Sequence, residues 1–252
     1  GNQESRSRLL VETLWAIREV VGRDYPVWVR INAAEYGMEN GITPQEATVT
    51  ARLAEEAGAD AISVSCWGWG RYATFNIPDS PGAMLPLAEA VKKAVRVPVM
   101  AVGRLDPKVG DVALKEGKAD FIAIGRALIA DAYLPQKAAA GRLRDASPCI
   151  SCMECLRVGR REQGMSCAVN AAVGYEATMA IKPAEIPRRV VVVGGGPAGM
   201  EAARVAALRG HLVTLLERES RLGGLLALAG KPRHNNRFPL LERFLEYQLG
   251  KL

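Results

Sequence analysis

Along the first 130 residues, short apolar, β-branched runs alternate with longer stretches whose apolar residues keep helical spacing. "VWVRI" (27–31), "DAISVS" (60–65), "VPVMAVG" (97–103) and "ADFIAIG" (119–125) are near-continuous apolar runs of strand length. Such runs predict strands covered on both faces, as in parallel sheets. The opening "GNQESRSRLLVETLWAIREVV" has the spacing of an amphipathic helix. Thr43-Pro44-Gln45-Glu46 reads as a capping box with proline at the first helical position, and Gly58 is a natural left-handed stop for that helix. "MLPLAEAVKKAV" (84–95) predicts the next helix, and Asp106-Pro107 opens another that ends near Gly117. Strands alternating with helices predict a parallel sheet with right-handed crossovers.

Further on, residues 131–148 read as helix and then turns, and 174–189 as a proline-containing linker. An apolar strand then runs into Gly194-Gly195-Gly196-Pro197-Ala198-Gly199, a helix follows to about Arg209, and a second strand, "LVTLLE", closes on Glu217. Isolated, a GxGxxG is weak evidence. With strand, helix, second strand and terminal acid all in place it is a dinucleotide-binding fingerprint. In that reading Gly194 makes the tight turn, and Gly196 lets the backbone of the Pro197-Ala198 turn approach a pyrophosphate. Gly199 lets helix and strand pack closely, and Glu217, followed by Arg218, accepts ribose hydroxyls. "RLGGLL" adds a second glycine pair ending at Gly224. The expected organisation is a barrel portion over 1–147, a cysteine segment and linker over 148–187, and the start of a dinucleotide domain over 188–252.

Composition narrows the classes without choosing among them. The chain is 49% hydrophobic and 24% charged with a formal charge of +6, an ordinary globular balance. Lysines and arginines are scattered without interleaved aromatics, which argues against a nucleic-acid partner. No run of eighteen apolar residues appears, so no membrane span is predicted. The first residues lack the charged-then-apolar pattern of a signal peptide, which points to a reducing cytoplasm and thiols rather than disulfides. The chain lacks an initiating Met and breaks off just inside a new domain, so a piece of a longer protein is expected. Association between copies is left open.

Two strands end alike, on Gly103-Arg104 and Gly125-Arg126. Glycine at a strand's C-terminal end admits a ligand to the backbone, and arginine supplies a forked cation. In a β/α barrel, the loops after the last two strands often hold a phosphate. The alternative is a pair of surface arginines beside tight turns. Arg30 interrupts an otherwise apolar strand and is expected to be a buried charge needing a partner. It forms either a structural ion pair or a contact with an anionic ring at the barrel mouth. Cys149, Cys152, Cys155 and Cys167 follow the spacing C-x2-C-x2-C-x11-C. Zinc sites usually present two pairs separated by a loop. Three thiols on one compact loop and a distant fourth suit a 4Fe-4S cluster, with zinc the alternative. Cys66, at a strand end, reads as a small buried hydrophobe. A cluster passes single electrons and nicotinamide donates a hydride, so a flavin on each side of the cluster is implied.

These motifs together resemble the iron–sulfur branch of the old yellow enzyme family, which includes 2,4-dienoyl-CoA reductase and trimethylamine dehydrogenase. The resemblance runs from "GNQESRSRLL" through "VWVRIN", "AVGRL", "AIGRALIAD" and "CISCMEC" to "VVVVGGGPAGMEAA". It implies the C-terminal half of a (β/α)8 barrel, a 4Fe-4S segment and the start of a Rossmann-like FAD/NAD(P)-binding domain. Arg30 would then lie against FMN, with Gly103, Arg104, Gly125 and Arg126 at its phosphate. The four cysteines would ligate the cluster, and the glycine loop with Glu217 would hold FAD. The implied activity carries electrons from NAD(P)H through FAD, cluster and FMN to an activated carbon–carbon double bond of an unsaturated acid or thioester. An amine dehydrogenase holding ADP or FAD is a second reading, and a zinc-stabilised binding module a third. The dienoyl-CoA reductases carry a Trp-His pair after the sixth strand. Here the segment reads "SCWGWGRYATF", and the two histidines, His211 and His234, lie elsewhere. Trp67 and Trp69 are therefore candidate walls of an aromatic pocket, and Trp69, Arg71 and Tyr72 candidate substrate-handling residues, the alternative being simple packing of the loop.

Overall fold

The computed structural model describes residues 2–68, 80–159, 164–232 and 236–252. By contacts the chain divides into two compact units, Gly1–Ile124 and Gly125–Leu252. The sequence-based boundaries at 147 and 187 separate roles; the contacts group the cysteine segment with the dinucleotide motif.

In the first unit the elements alternate as α1 (Gln3–Val21), β1 (Trp28–Tyr36), α2 (Pro44–Glu56), β2 (Ala61–Gly68), α3 (Leu85–Lys92), β3 (Val99–Val102), α4 (Pro107–Lys115) and β4 (Phe121–Ala123). The strands form one parallel sheet in the order β1-β2-β3-β4. Local signals set the helix boundaries. Thr43 and Glu46 close the reciprocal capping box, the Thr43 amide donating to Glu46 Oε2 at 2.9 Å. Asp106 Oδ1 accepts the amides of Lys108 and Val109, both at 2.9 Å. Gly58 and Gly117 stop their helices at φ 101° and 68°.

Residues 29, 31 and 33 of β1 lie in the core with Ile62, Val64, Val99 and Ala101, beneath Ala47, Ala51 and Ala54 of α2 and Leu87 and Val91 of α3. Alanines on α2 let helix and sheet approach closely. Because successive strand residues face opposite ways, residues 28 and 30 fall on the other face. There the register sets Arg30, Ser63, Met100 and Phe121 at one level. Arg30 is exposed and donates from Nη2 to Ser65 Oγ at 3.0 Å, so the expectation of a buried charge in this strand is corrected. The neighbouring Trp28 and Phe121 are 63% and 55% exposed on that side. β1 also continues beyond the predicted 27–31, through a register irregularity between Asn32 and Glu35. β4 is shorter than its apolar run because Gly125 caps a new helix.

The second unit contains α5 (Arg126–Ala130), α6 (Leu134–Ala139), a 3-10 turn (Leu143–Asp145), α7 (Glu154–Gly159), β5 (Arg189–Val193), α8 (Pro197–Leu208), β6 (Leu212–Leu216), α9 (Leu226–Ala229) and α10 (Phe238–Leu249). β5 and β6 pair in parallel, from Arg189 beside Leu212 to Val193 beside Leu216, with α8 as the crossover. Its core joins Met200 of α8, Leu226 of α9, and Leu241 and Leu245 of α10 to Ile150, a residue of the cysteine loop. Among the described residues no helix is long and apolar enough to cross a membrane.

Candidate functional site

Cys149, Cys152, Cys155 and Cys167 line one small cavity of about 20 Å³, together with Arg126, Ile129, Ile150, Ser151, Met153 and Val169. In an extended chain, residues three apart point to opposite sides. The loop avoids this by turning left-handed twice, at Ser151 (φ 54°) and Met153 (φ 61°), so that 149, 152 and 155 surround one space. Non-glycine residues in that region cost about 1–3 kcal/mol each and persist only where their surroundings enforce them. Ile150 supplies part of that enforcement, being only 4% exposed. All four thiols are free. Burial pushes the Cys155 thiol up, Cys149, Cys167 and Cys152 push the same way, and the Arg126 guanidinium pulls it down.

Among the described residues, no group of three or more His, Cys, Asp or Glu is arranged to hold a metal ion. The cavity lining contains thiols and no carboxylate or imidazole. That donor set fits an iron–sulfur centre, in which each thiolate takes a different iron.

At the dinucleotide motif, Gly194 adopts φ 103°, and its amide donates to the Leu216 carbonyl at 2.7 Å, closing the turn onto β6. A Cβ at Gly199 would lie 1.9 Å from the Gly194 carbonyl oxygen, so helix and turn pack at a distance only glycine allows. Around Gly196 a Cβ would meet nothing within 4 Å, which leaves room for a ligand against the backbone. Pro197 starts α8, and no side chain caps its first turn, which leaves that helix end suited to an anion. Glu217 braces the loop: its Oε2 accepts the Gly195 amide at 2.6 Å and its Oε1 the Glu219 amide at 2.9 Å. These bonds, the Glu219 amide foremost, hold the carboxyl below its usual range. The second glycine pair packs on the first, with the Gly223 amide donating to the Gly195 carbonyl at 2.7 Å and a Cβ at Gly224 falling 3.1 Å from Gly196 Cα. Arg218 pairs with Glu219 at the surface.

The two Gly-Arg pairs differ once folded. Gly103 (φ 109°) and Arg104 (φ 49°) are both left-handed, and a Cβ at Gly103 would lie 2.2 Å from Met84 Sδ. Gly125 instead caps α5, and Arg126 donates from Nη1 to Met153 Sδ at 2.8 Å, within the cysteine cavity. Cys66 is buried with its sulfur 3.4 Å from Met84 Sδ, and burial raises its thiol pKa, as a packed hydrophobe requires. Trp67, next to last in β2, is 47% exposed, while Trp69, Arg71 and Tyr72 lie outside the described residues. The sequence reading missed Arg237, whose Nε donates to the Cys149 carbonyl at 3.1 Å. It also missed Asp131 and Asn170, polar residues in otherwise apolar runs, which was the available signal.

Residues 1–145 match the NADH:flavin oxidoreductase / NADH oxidase family, and residues 189–237 the FAD dependent oxidoreductase family. The chain belongs to the NADH:flavin oxidoreductase family. It is 41% identical over 251 residues to the metal reductase of Desulforamulus reducens, covering 97% of this chain and 37% of that protein. The solved 2-naphthoyl-CoA reductase, in complex with 2-naphthoyl-CoA, superposes with a TM-score of 0.91 at 36% identity, over 100% of this chain and 39% of that one. Histamine dehydrogenase from Rhizobium sp. 4-9 does so at 0.87 and 29%, over 100% and 37%. The chain thus spans well under half the length of these relatives. Its parallel sheet is the C-terminal half of a (β/α)8 barrel, followed by the start of a Rossmann-like domain.

Proposed function

We propose that this chain is part of an NAD(P)H-dependent reductase of activated carbon–carbon double bonds, in unsaturated acids or thioesters. One observation carries the reading: an all-thiol cavity is built into the same core as the dinucleotide helix. Ile150, between two of the cysteines, packs in one cluster with Met200, the residue after Gly199. Thiolates at Cys149, Cys152, Cys155 and Cys167 would hold a 4Fe-4S cluster. The Gly194–Gly199 loop, Gly224, Glu217 and Arg218 would hold FAD. Gly103 and Arg104 would take the FMN phosphate, with Arg30 on the open sheet face toward the ring, while Arg126, which donates to Met153 Sδ in the cysteine cavity, would serve the thiolates instead. When bound, these groups together split a hydride into single electrons and recombine them at the substrate.

The chain's own residues position and neutralise. Arg126 offsets negative charge beside the thiols. Trp69, Arg71 and Tyr72 are proposed to contact the small-molecule substrate. The likeness to 2-naphthoyl-CoA reductase supports an unsaturated thioester as acceptor. We place the protein in the cytoplasm, where its thiols stay reduced.

The full-length protein tests this directly. It is expected to contain iron, acid-labile sulfide, FMN and FAD, and to oxidise NADH or NADPH when given an α,β-unsaturated acid or CoA thioester. Purified holoprotein without FMN would refute the reading. The likeness to histamine dehydrogenase supports a second reading, an amine oxidised with electrons leaving to a carrier. Anaerobic bleaching of the flavin by an amine, with ADP extracted in place of FAD, would select it.

A further inference from the structure

Three of the four cysteines, Cys149, Cys152 and Cys167, stand on irregular backbone, 147–153 and 164–168, outside any helix or sheet ladder, while Cys155 stands in α7. The geometry of those stretches therefore rests on packing, as at Ile150, and on side-chain bonds. We infer that Asp131 and Asn170 are positioning residues of this cavity, each fixing one cysteine-bearing arm to α5. The inference rests on the reading of the cysteines as cluster ligands.

Asp131 caps the C-terminal end of α5 and is 6% exposed. Its Oδ2 accepts both the Lys137 ammonium at 2.6 Å and the Ser147 amide at 2.8 Å, and its Oδ1 accepts the Tyr133 amide at 3.0 Å. Ser147 stands two residues before Cys149. Lys137 also donates to the Asp145 carbonyl at 2.9 Å, so the buried carboxylate is charge-paired while it holds the first arm.

Asn170, three residues after Cys167, secures the second arm. Its Nδ2 donates to the Ile129 carbonyl at 2.8 Å, and its Oδ1 accepts the Ala172 amide at 3.1 Å. Ser147 Oγ then donates to the Val169 carbonyl at 3.4 Å, joining the arms to each other. Ile129 and Val169 also line the cavity, so both anchors reach its wall. The bonds span 16 and 41 residues, the first ending on the Ser147 amide of one arm and the second running from the other arm to the Ile129 carbonyl of α5. Groups bonded directly to a metal ligand commonly govern retention of the metal by about 10–100-fold; Asp131 and Asn170 act one step further out, through Ser147 and Ile129.

The test uses full-length holoprotein carrying Asn170→Ala, Asn170→Asp or Asp131→Asn. Asn170→Asp keeps the acceptor for Ala172 but lacks the donor to Ile129, so it should behave like Asn170→Ala. Asp131→Asn keeps an acceptor for Ser147 while losing the charge facing Lys137, and is the milder variant should the others fold poorly. Iron and sulfide per chain, the rate of iron loss to a chelator, the electron paramagnetic resonance spectrum of the reduced protein, and bound FMN and FAD are measured together. The expected result is iron loss faster by about 10–100-fold and a changed resonance spectrum, with both flavins retained. Unchanged iron loss and spectrum would overturn the assignment, even if thermal stability fell. Equal loss of iron and both flavins would also overturn it, because that outcome is general unfolding. Wild-type protein lacking iron would instead show that the reading of the cysteines had failed, and the positioning role with it.

Discussion

Truncating Ile150 to alanine should destabilise the dinucleotide unit and loosen the cysteine cavity in one step. Ile150 is 4% exposed and shares a core with Met200, Leu226, Leu241 and Leu245. Removing its outer carbons leaves a void between the loop and α8, because neighbours in a packed core relax only partly. Ile→Ala at such a site costs about 2–5 kcal/mol and Ile→Val about 0.5–1.5 kcal/mol. Against a domain stability of about 5–15 kcal/mol this is a large fraction. The flanking Cys149 and Cys152 lose their anchor at the same time. In full-length holoprotein, urea unfolding followed by visible absorbance of the cysteine-bound centre should report a loss in that range for Ile150→Ala. Ile150→Val should fall between it and wild type, and iron release to a chelator should follow the same order. An Ile150→Ala protein within about 0.5 kcal/mol of wild type, the range of a surface change, would refute the reasoning.

Two further tests address the other sites. Gly103→Ala should cost about 1–3 kcal/mol, because it forces a side chain into φ 109° against Met84 Sδ, and FMN content of the purified protein should fall with it. Glu217 is held below the usual carboxylate value of 4.5 by the Glu219 and Gly195 amides. A depressed folded value means that its contribution is fully present above 4.5 and is lost as pH falls through the folded value. FAD retention should therefore weaken on the acid side. Glu217→Gln should flatten that dependence in a pH series of flavin release, and an unchanged acid limb would count against the bracing role.

Where the sequence was legible, the signal was local. Thr43–Glu46 and Asp106-Pro107 announce helix starts through bonds made within a few residues, and the four apolar runs announce strands of a parallel sheet. The cysteine spacing likewise announced four thiols that line one cavity. Arg30 misled because an apolar run with one charge looks buried on both sides, whereas alternation places 30 on the exposed face and 29 and 31 in the core. The helix α10 and the roles of Ile150, Asp131, Asn170 and Arg237 were illegible for a different reason. Their partners lie far along the chain, 88 residues away for Arg237 and Cys149, and no short-range pattern encodes such a pairing.

The repeated Gly-Arg ending shows how far a motif can be carried. In sequence the two pairs are equivalent, and equivalence suggested one shared phosphate role. In the fold the first is a doubly left-handed turn, and the second opens a helix whose arginine lies against the thiols. Four thiols share one cavity; burial first, and then the neighbouring cysteines, push the Cys155 thiol up, so holding all four as thiolates would set like charges together. A site of that charge needs cations or amide donors close by. Arg126 supplies one at the cavity wall, and Arg237 supplies another at the Cys149 carbonyl, from the stretch leading into α10. Both cations of the cysteine site therefore come from within the second unit, Arg126 from α5 and Arg237 from the start of α10. A reading that assigned every arginine to a flavin phosphate would leave the thiolates without compensation.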